Sequence, residues 1–99
     1  MLLEKHKNII FQLCEQHKID KLYAFGSVLT DKFSEDSDVD LLYRFKNDIP
    51  LIDYADNYFD FKFSLEDALN RSVDLVSEKE LKNIYFINEV NATKQLIYG

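Results

Sequence analysis

The sequence predicts one small α/β (α+β) domain in which a mixed β-sheet of about four strands is flanked by helices. Short apolar runs that suit strands alternate with longer segments whose apolar residues recur at helical spacing. The composition, 46% hydrophobic and 14% aromatic, is that of a globular protein, and 99 residues are enough to bury one core. We therefore expect residues 1–99 to form a single domain.

The first helix is predicted over residues 2–18. One side of it gathers apolar and histidine side chains: Leu2, Leu3, His6, Ile9, Ile10, Leu13, Cys14 and His17. His6 and His17 are interpreted as residues packed at the boundary of the core, with a ligand role as the alternative. Cys14 is expected to be a small core residue, since no basic neighbour would activate its thiol.

The first strand is predicted over residues 21–25 and is followed by Gly26 and Ser27. Glycine allows the backbone to turn sharply and to approach a ligand closely. Ser27 can cap a short helical turn, whose free backbone N–H groups favour phosphate. An ordinary turn has the same composition, so the Gly-Ser pair alone is a weak signal.

Two aspartates begin the second predicted strand, residues 38–45, after a polar loop over residues 30–37. Residues two apart in a strand point to the same face, so Asp38 and Asp40 would present their carboxylates side by side. Such a pair repels unless a cation lies between its members, and Mg²⁺ prefers oxygen ligands. Ser37 would either orient Asp38 or simply end the loop.

A second helix is predicted to begin at residue 52 or 53 and to end at Leu69. Its core-facing stripe consists of aromatic and aliphatic side chains: Tyr54, Tyr58, Phe61, Leu65, Ala68 and Leu69. Phe59 and Phe63 fall outside that stripe. They would either be buried by another segment or form an exposed patch for a partner.

The third predicted strand, residues 72–77, carries Asp74 between two apolar residues. Burying an unpaired carboxylate is costly, so its position indicates a function. If this strand lies beside the second one, Asp74 can join Asp38 and Asp40 around the same metal ions.

The C-terminal part is predicted to form a helix and a closing strand. Ser77 and Glu80 have the spacing of a capping box, which predicts a helix that runs to about residue 91. Residues 95–98 then predict a short strand.

Charge, cysteine content and hydropathy restrict the functional class. The net charge of −6, with no cluster of basic residues, argues against direct binding of nucleic acid, although a nucleotide can bind where metal ions screen the carboxylates. A single cysteine cannot form an internal disulfide, which favours a reducing cytoplasm. The chain has neither a membrane-length apolar stretch nor the pattern of a signal peptide, so a soluble cytoplasmic protein is expected.

The chain combines four features in a specific order. They are a strand with Gly-Ser, a short loop, Asp-x-Asp on a second strand and a further Asp on a later strand. The order resembles that of the nucleotidyltransferase superfamily of the DNA polymerase β type. The matching positions are Gly26, Ser27, Asp38, Asp40 and Asp74. In length and in its closing strand the chain resembles the minimal nucleotidyltransferases, the MntA-like antitoxins encoded beside a HEPN-domain partner.

The resemblance implies the nucleotidyltransferase fold and a transfer of AMP from ATP to a hydroxyl group, with loss of pyrophosphate. Asp38 and Asp40 would hold two Mg²⁺ ions, and Asp74 would bind the catalytic one and help deprotonate the acceptor. The residues expected to contact the nucleotide are Gly26, Ser27 and Ser37. For the HEPN-associated proteins the expected acceptor is a tyrosine of the partner, a ribonuclease toxin that the transfer silences.

The chain departs from the family pattern in the phosphate loop. Many members have Gly-Ser-x-Ala-Arg-Gly, whereas this chain has Thr30 at the position of the arginine and Asp31 at that of the last glycine. The missing positive charge would weaken ATP binding or shift that task to Lys32. The three aspartates remain, so the resemblance still implies an enzyme.

Two other functions are left open. The chain could be a catalytically weak or inactive binding module with the nucleotidyltransferase fold, which neutralises its partner by contact. It could also modify a small molecule such as an aminoglycoside, although 99 residues leave no second domain for that acceptor. The lack of room favours an acceptor on another protein or subunit, and assembly of the chain with itself is left open.

Overall fold

The computed structural model describes residues 2–99 and, over that range, contains the mixed four-stranded sheet that was predicted. Its strands are β1 (Ile19–Phe25), β2 (Val39–Phe45), β3 (Val73–Ser77) and β4 (Gln95–Tyr98). They lie in the order β3-β2-β1-β4, with β2 and β3 parallel and the other neighbours antiparallel. Within the described residues, β3 is therefore an edge strand.

Helices cover both faces of this sheet. Over residues 2–99 they are α1 (Leu2–Lys5), α2 (Lys7–Gln16), α3 (Tyr54–Leu69) and α4 (Ile84–Thr93), with 3₁₀ turns at Gly26–Leu29, Leu51–Asp53 and Glu78–Glu80. The main core lies between the sheet and α2 and α3, and it includes Leu41 and Tyr43. On the opposite face α4 packs Val90 against Phe25 and Leu42.

The core-facing interpretation of Cys14 is confirmed. Its side chain is fully buried, and burial raises the pKa of the thiol to about 12. The two histidines are half-buried at the boundary of the same core, and the Nδ1–H of each ring donates to the carbonyl oxygen four residues earlier. Over residues 2–99, the structure contains no helix with the length and apolar content needed to cross a membrane.

The first helix was predicted to be continuous, but in the structure it breaks at His6. The backbone of His6 has φ −108° and ψ 19°, and its Nδ1 lies 3.0 Å from the carbonyl oxygen of Leu2. An unbroken helix would offer that oxygen to the backbone N–H of residue 6, so the side chain competes with the helix. Further along, Lys18 with φ +57° turns the chain, and β1 begins at Ile19 rather than at residue 21.

The prediction for α3 is confirmed along its length. Phe61, Leu65 and Leu69 are buried against the sheet. Asn70 then adopts a left-handed conformation with φ +53°, which ends the helix.

The predicted capping box is wrong. Ser77 is only 7% exposed and ends β3; it precedes the short 3₁₀ turn Glu78–Glu80, and its side chain makes no capping hydrogen bond there. The last helix begins after Asn83, whose Oδ1 accepts hydrogen bonds from the backbone N–H groups of Tyr85 and Phe86 at 3.0 and 3.2 Å. The helix ends at Thr93, slightly beyond the predicted end at about residue 91.

Candidate active site

The second and third strands lie side by side, which is the condition for Asp74 to join the other aspartates, and this pairing brings two aspartates together. Asp40 on β2 and Asp74 on β3 are register partners in the parallel pair. Their neighbours Leu41 and Leu75 are buried in the main core, so both aspartates point to the opposite face. Asp38 lies immediately before β2, beside the same end of the pair.

The three carboxylates lie close enough to influence one another. Asp40 is partly buried, and its pKa is raised by desolvation, then by the negative charges of Asp74 and Asp38. Asp38 and Asp74 are exposed. The expectation of a buried Asp74 is therefore wrong. β3 is an edge strand, and the face of the sheet on which Asp74 lies is open to solvent there.

Gly26 contributes to the site because it has no side chain. Its φ is +75°, a left-handed conformation that side chains rarely adopt, and a Cβ atom at this position would overlap Oδ2 of Asp40. The carboxylate of Asp40 thus rests directly against the glycine backbone. A close approach by Gly26 was predicted from the sequence, but its neighbour on this side is an aspartate of the same chain.

The donor set suits a hard divalent cation. Within residues 2–99, no three carboxylate, imidazole or thiol groups converge into a preformed metal site. The side chains of Asp38 and Asp74 are exposed, so packing does not prevent them from rotating toward Asp40. Carboxylate oxygens are the ligands that Mg²⁺ prefers, so the residues fit the ion once those two side chains turn inward.

A cavity of about 560 Å³ opens beside Asp40 and was not anticipated from the sequence. One wall is formed by Phe25, Gly26 and Leu29, and the other by residues of α4 that include Phe86 and Val90. The rings of Phe25 and Phe86 meet edge to face, with their centroids 5.9 Å apart. Phe86 and Val90 are four residues apart, and this helical spacing is the signal that could have placed them on one face.

The turn that follows β1 is held by Thr30, the residue at the position of the family arginine. Its hydroxyl donates to the carbonyl oxygen of Ser27 at 2.9 Å and accepts from the backbone N–H of Lys32 at 3.2 Å. Ser27 was predicted to cap this turn, but it lies inside the turn, which is flanked by Phe25. Contacts of Gly26 and Ser27 with a nucleotide stay a prediction.

Arg71 fastens the loop that leads into Asp38, a role that the sequence did not reveal. Its Nη1 donates to the carbonyl oxygens of Ser34 and Ser37 at 2.5 and 3.2 Å. Its guanidinium also lies over the ring of Phe33, 4.4 Å from the centroid. The hydroxyl of Ser37 accepts from the N–H of Ser34 at 3.1 Å, which favours its role in ending the loop. A contact of Ser37 with the nucleotide stays a prediction.

Arg71→Ala is expected to loosen this loop and to lower the free energy of unfolding by about 1–2 kcal/mol, because a cation–π contact and two charged hydrogen bonds are lost. Native-state hydrogen exchange should accelerate at the amide of Ser37, which donates to Ser34 within the loop. The matched control is Arg44→Ala, which removes the ion pairs to Asp20 and Glu78 instead. Unchanged exchange at Ser37 in Arg71→Ala would contradict the assignment.

Comparison with known proteins extends the likeness over nearly the whole chain. The family model described as polymerase beta, nucleotidyltransferase matches residues 7–99. Two relatives from Methanocaldococcus jannaschii, both provisionally named protein adenylyltransferases, are 35% and 31% identical to the chain. Each match covers 98% of this chain and 90% of the relative.

Solved structures give the same result for the fold. The structure of a provisionally assigned minimal nucleotidyltransferase superposes with a TM-score of 0.73 at 32% identity, covering 94% of this chain and 90% of the other. The complex of a tri-AMPylated Shewanella oneidensis HEPN toxin with an MNT antitoxin contains a similar chain. In that case the TM-score is 0.67 at 21% identity, covering 100% of this chain and 73% of the other.

Proposed function

Since the chain belongs to the polymerase beta nucleotidyltransferase family, we propose that it transfers AMP from ATP to a tyrosine hydroxyl group of a partner protein. The observation that supports this most directly is the register of Asp40 with Asp74, beside the glycine turn. In the reaction, the acceptor oxygen bonds to the α-phosphorus of ATP, and the bond from that phosphorus to pyrophosphate breaks. The hydroxyl proton leaves to a carboxylate.

Each aspartate has a proposed task that follows from its place. Asp38, Asp40 and Asp74 would hold two Mg²⁺ ions, which when bound would stabilise the charge on the attacking and leaving oxygens. Asp74 lies on the exposed edge strand, where a bulky acceptor can reach it, so we assign to it the proton of the hydroxyl group. Asp40 is held in place by Gly26 and is therefore the best-positioned ligand.

The nucleotide is proposed to lie between the glycine turn and α4. Backbone N–H groups of the turn at Gly26 and Ser27 would contact the phosphates. The cavity of about 560 Å³ beside Asp40 has the size and the apolar walls that suit a purine ring, with Phe86 as the aromatic wall.

The proposed partner is a HEPN-domain toxin, which the transfer would silence. The relatives from Methanocaldococcus jannaschii are provisionally named for transfer to protein. Two structures with the same fold come from toxin–antitoxin complexes, one with AMP-PNP and one with a tri-AMPylated HEPN toxin. Their identity to this chain is 22% and 21%, so they support the partner by analogy of fold.

The test is the intact mass of a HEPN-domain protein encoded beside this chain, after co-expression with the wild type or with Asp38→Asn. We expect whole AMP units on the partner with the wild type and none with the variant, because the variant loses a metal ligand. A matched control is Asp36→Asn, an exposed aspartate of the same loop. An unmodified partner with the wild type, in the presence of ATP and Mg²⁺, would contradict the proposal.

The second candidate, a binding module with weak or no chemistry, is favoured by one observation. Thr30 stands where many family members have an arginine, and its hydroxyl is used to close the turn. If a partner forms a stable complex with wild type and Asp38→Asn alike, and neither modifies it, the module is the correct function.

A further inference from the structure

A second cavity, of about 470 Å³, lies at the β3 edge of the sheet on the face covered by α3. Three tyrosines and a phenylalanine line it, with one carboxylate at its border: Tyr43, Tyr54, Tyr58, Phe59 and Glu80. Asp38, Asp40 and Asp74, which the proposed transfer reaction uses, do not line it. We call this feature the aromatic cavity.

The rings of the aromatic cavity are held in fixed orientations. The hydroxyl of Tyr58 donates to the carbonyl oxygen of Leu75 at 2.7 Å, which ties α3 to β3. Tyr58 also packs against Tyr43 and Phe59, with centroids 5.6 and 5.0 Å apart. Because these rings are already ordered, the protein loses little side-chain entropy when a ligand binds to them.

The aromatic surface continues out of the cavity along α3. Phe59 is 49% exposed and stacks on Phe63, which is 57% exposed, with a centroid separation of 5.9 Å. Two neighbouring exposed rings at positions i and i+4 form an apolar surface against which an amphipathic helix can pack. This resolves the alternatives for Phe59 and Phe63 in favour of an exposed patch.

Negative charge surrounds these rings. The pKa of Tyr58 is raised by desolvation, then by the carboxylates of Asp74, Glu80 and Glu66. Exposed aspartates also flank the two phenylalanines on the outer side of α3: Asp56, Asp60 and Asp67. A ligand that covers this surface must therefore bring positive charge together with apolar area.

We propose that the aromatic cavity receives an arginine side chain from a basic amphipathic segment of a partner protein, whose apolar residues cover Phe59 and Phe63. A guanidinium stacks on aromatic faces and pairs with a carboxylate, and Tyr58 and Glu80 offer both partners at one place. The chain already shows such a contact, since Nζ of Lys62 lies 5.8 Å from the centroid of Phe63. The contact needs no bond-making step and does not depend on the transfer reaction.

The test uses three synthetic probes and backbone amide NMR shifts of the full chain. The first is a short helical peptide with one arginine and leucines four residues apart; the second replaces arginine by the neutral isostere citrulline. The third is N-acetylarginine amide. We expect the arginine peptide to shift the amides of Tyr58, Val76 and Glu80 and to bind at least about 5-fold more tightly than the citrulline peptide.

Variants then assign the charge preference to the cavity. Glu80→Gln should reduce the preference for arginine over citrulline to about 2-fold or less, while Glu35→Gln, an exposed control elsewhere, should leave it unchanged. Equal binding of the two peptides, or shifts centred on Asp38 and Asp40, would overturn the proposal. Binding of N-acetylarginine amide as tightly as the peptide would also overturn it, in favour of a small-molecule site. AMP transfer is measured separately by partner mass, so failure of one proposal does not imply failure of the other.

Discussion

Asp40→Asn is expected to abolish AMP transfer and, at the same time, to make the fold more stable. Transfer should fall by at least about 10²–10³-fold, because a proposed ligand of the Mg²⁺ ions that stabilise the reacting phosphate is lost. Stability should rise because the neutral amide relieves the desolvation and the repulsion from Asp74 and Asp38 that raise the pKa of Asp40. The gain should stay below about 1 kcal/mol, since solvent screens a partly exposed group.

The pH dependence gives the sign of this effect. Because the folded-state pKa of Asp40 lies above its usual value, the folded chain binds more protons than the unfolded chain between the two values. The stability contribution of Asp40 therefore falls as the pH rises through this window. The advantage of Asp40→Asn should be fully present at neutral pH and should disappear as the pH drops below the usual range of a carboxyl group.

Denaturant unfolding in EDTA at several pH values measures the effect without bound cations. The control is Asp36→Asn, an exposed aspartate of the adjacent loop with the same change in net charge. If Asp36→Asn stabilises as much as Asp40→Asn, a general charge effect explains the result. If Asp40→Asn destabilises at neutral pH, the electrostatic account of the site is wrong.

Gly26→Ala is expected to lower both stability and transfer. For a residue with a side chain, holding φ at +75° costs of order 1–3 kcal/mol. The new Cβ would also overlap Oδ2 of Asp40 and displace that carboxylate. Denaturant unfolding and the partner-mass assay measure the two losses. Gly99→Ala is the matched control, because Gly99 also has a positive φ, +103°, but contacts Asp20 and Lys21 instead.

A double-mutant cycle separates the overlap from the backbone strain. Asp40→Ala removes the carboxylate that the new Cβ would meet, so the double variant Gly26→Ala/Asp40→Ala should regain part of the lost stability. Simple additivity of the two changes would show that only the backbone conformation of Gly26 matters.

Part of the carboxylate cluster was predictable, because side chains alternate between the two faces of a strand. Asp38, however, lies just before β2 rather than in it. The two-residue spacing of Asp38 and Asp40 and the apolar neighbours of Asp74 follow from local sequence, and the resemblance supplied the chemistry. The exposure of Asp74 did not follow, because it depends on β3 lying at the edge of the sheet, which a strand's own residues do not specify.

The contacts that sequence reasoning missed join segments distant in the chain. Arg71 resembles any residue after a helix until the fold brings it to the carbonyl oxygens of Ser34 and Ser37. The wall formed by Phe86 depends on a helix that begins after Asn83. The capping pattern at Ser77 predicted an earlier start, but only a short 3₁₀ turn follows Ser77. Local pattern cannot decide which of two caps begins the long helix.

The parallel register of β2 and β3 makes the acidic cluster dependent on folding. Asp40 lies on one strand and Asp74 on the next, and the crossover that joins these parallel strands contains α3. A slip of one residue would turn Asp74 into the core and expose Val73 and Leu75, so the hydrophobic pattern selects a single alignment. A chain in which β2 and β3 are not paired therefore has no complete acidic centre, and activity should appear only once this non-local pairing has formed.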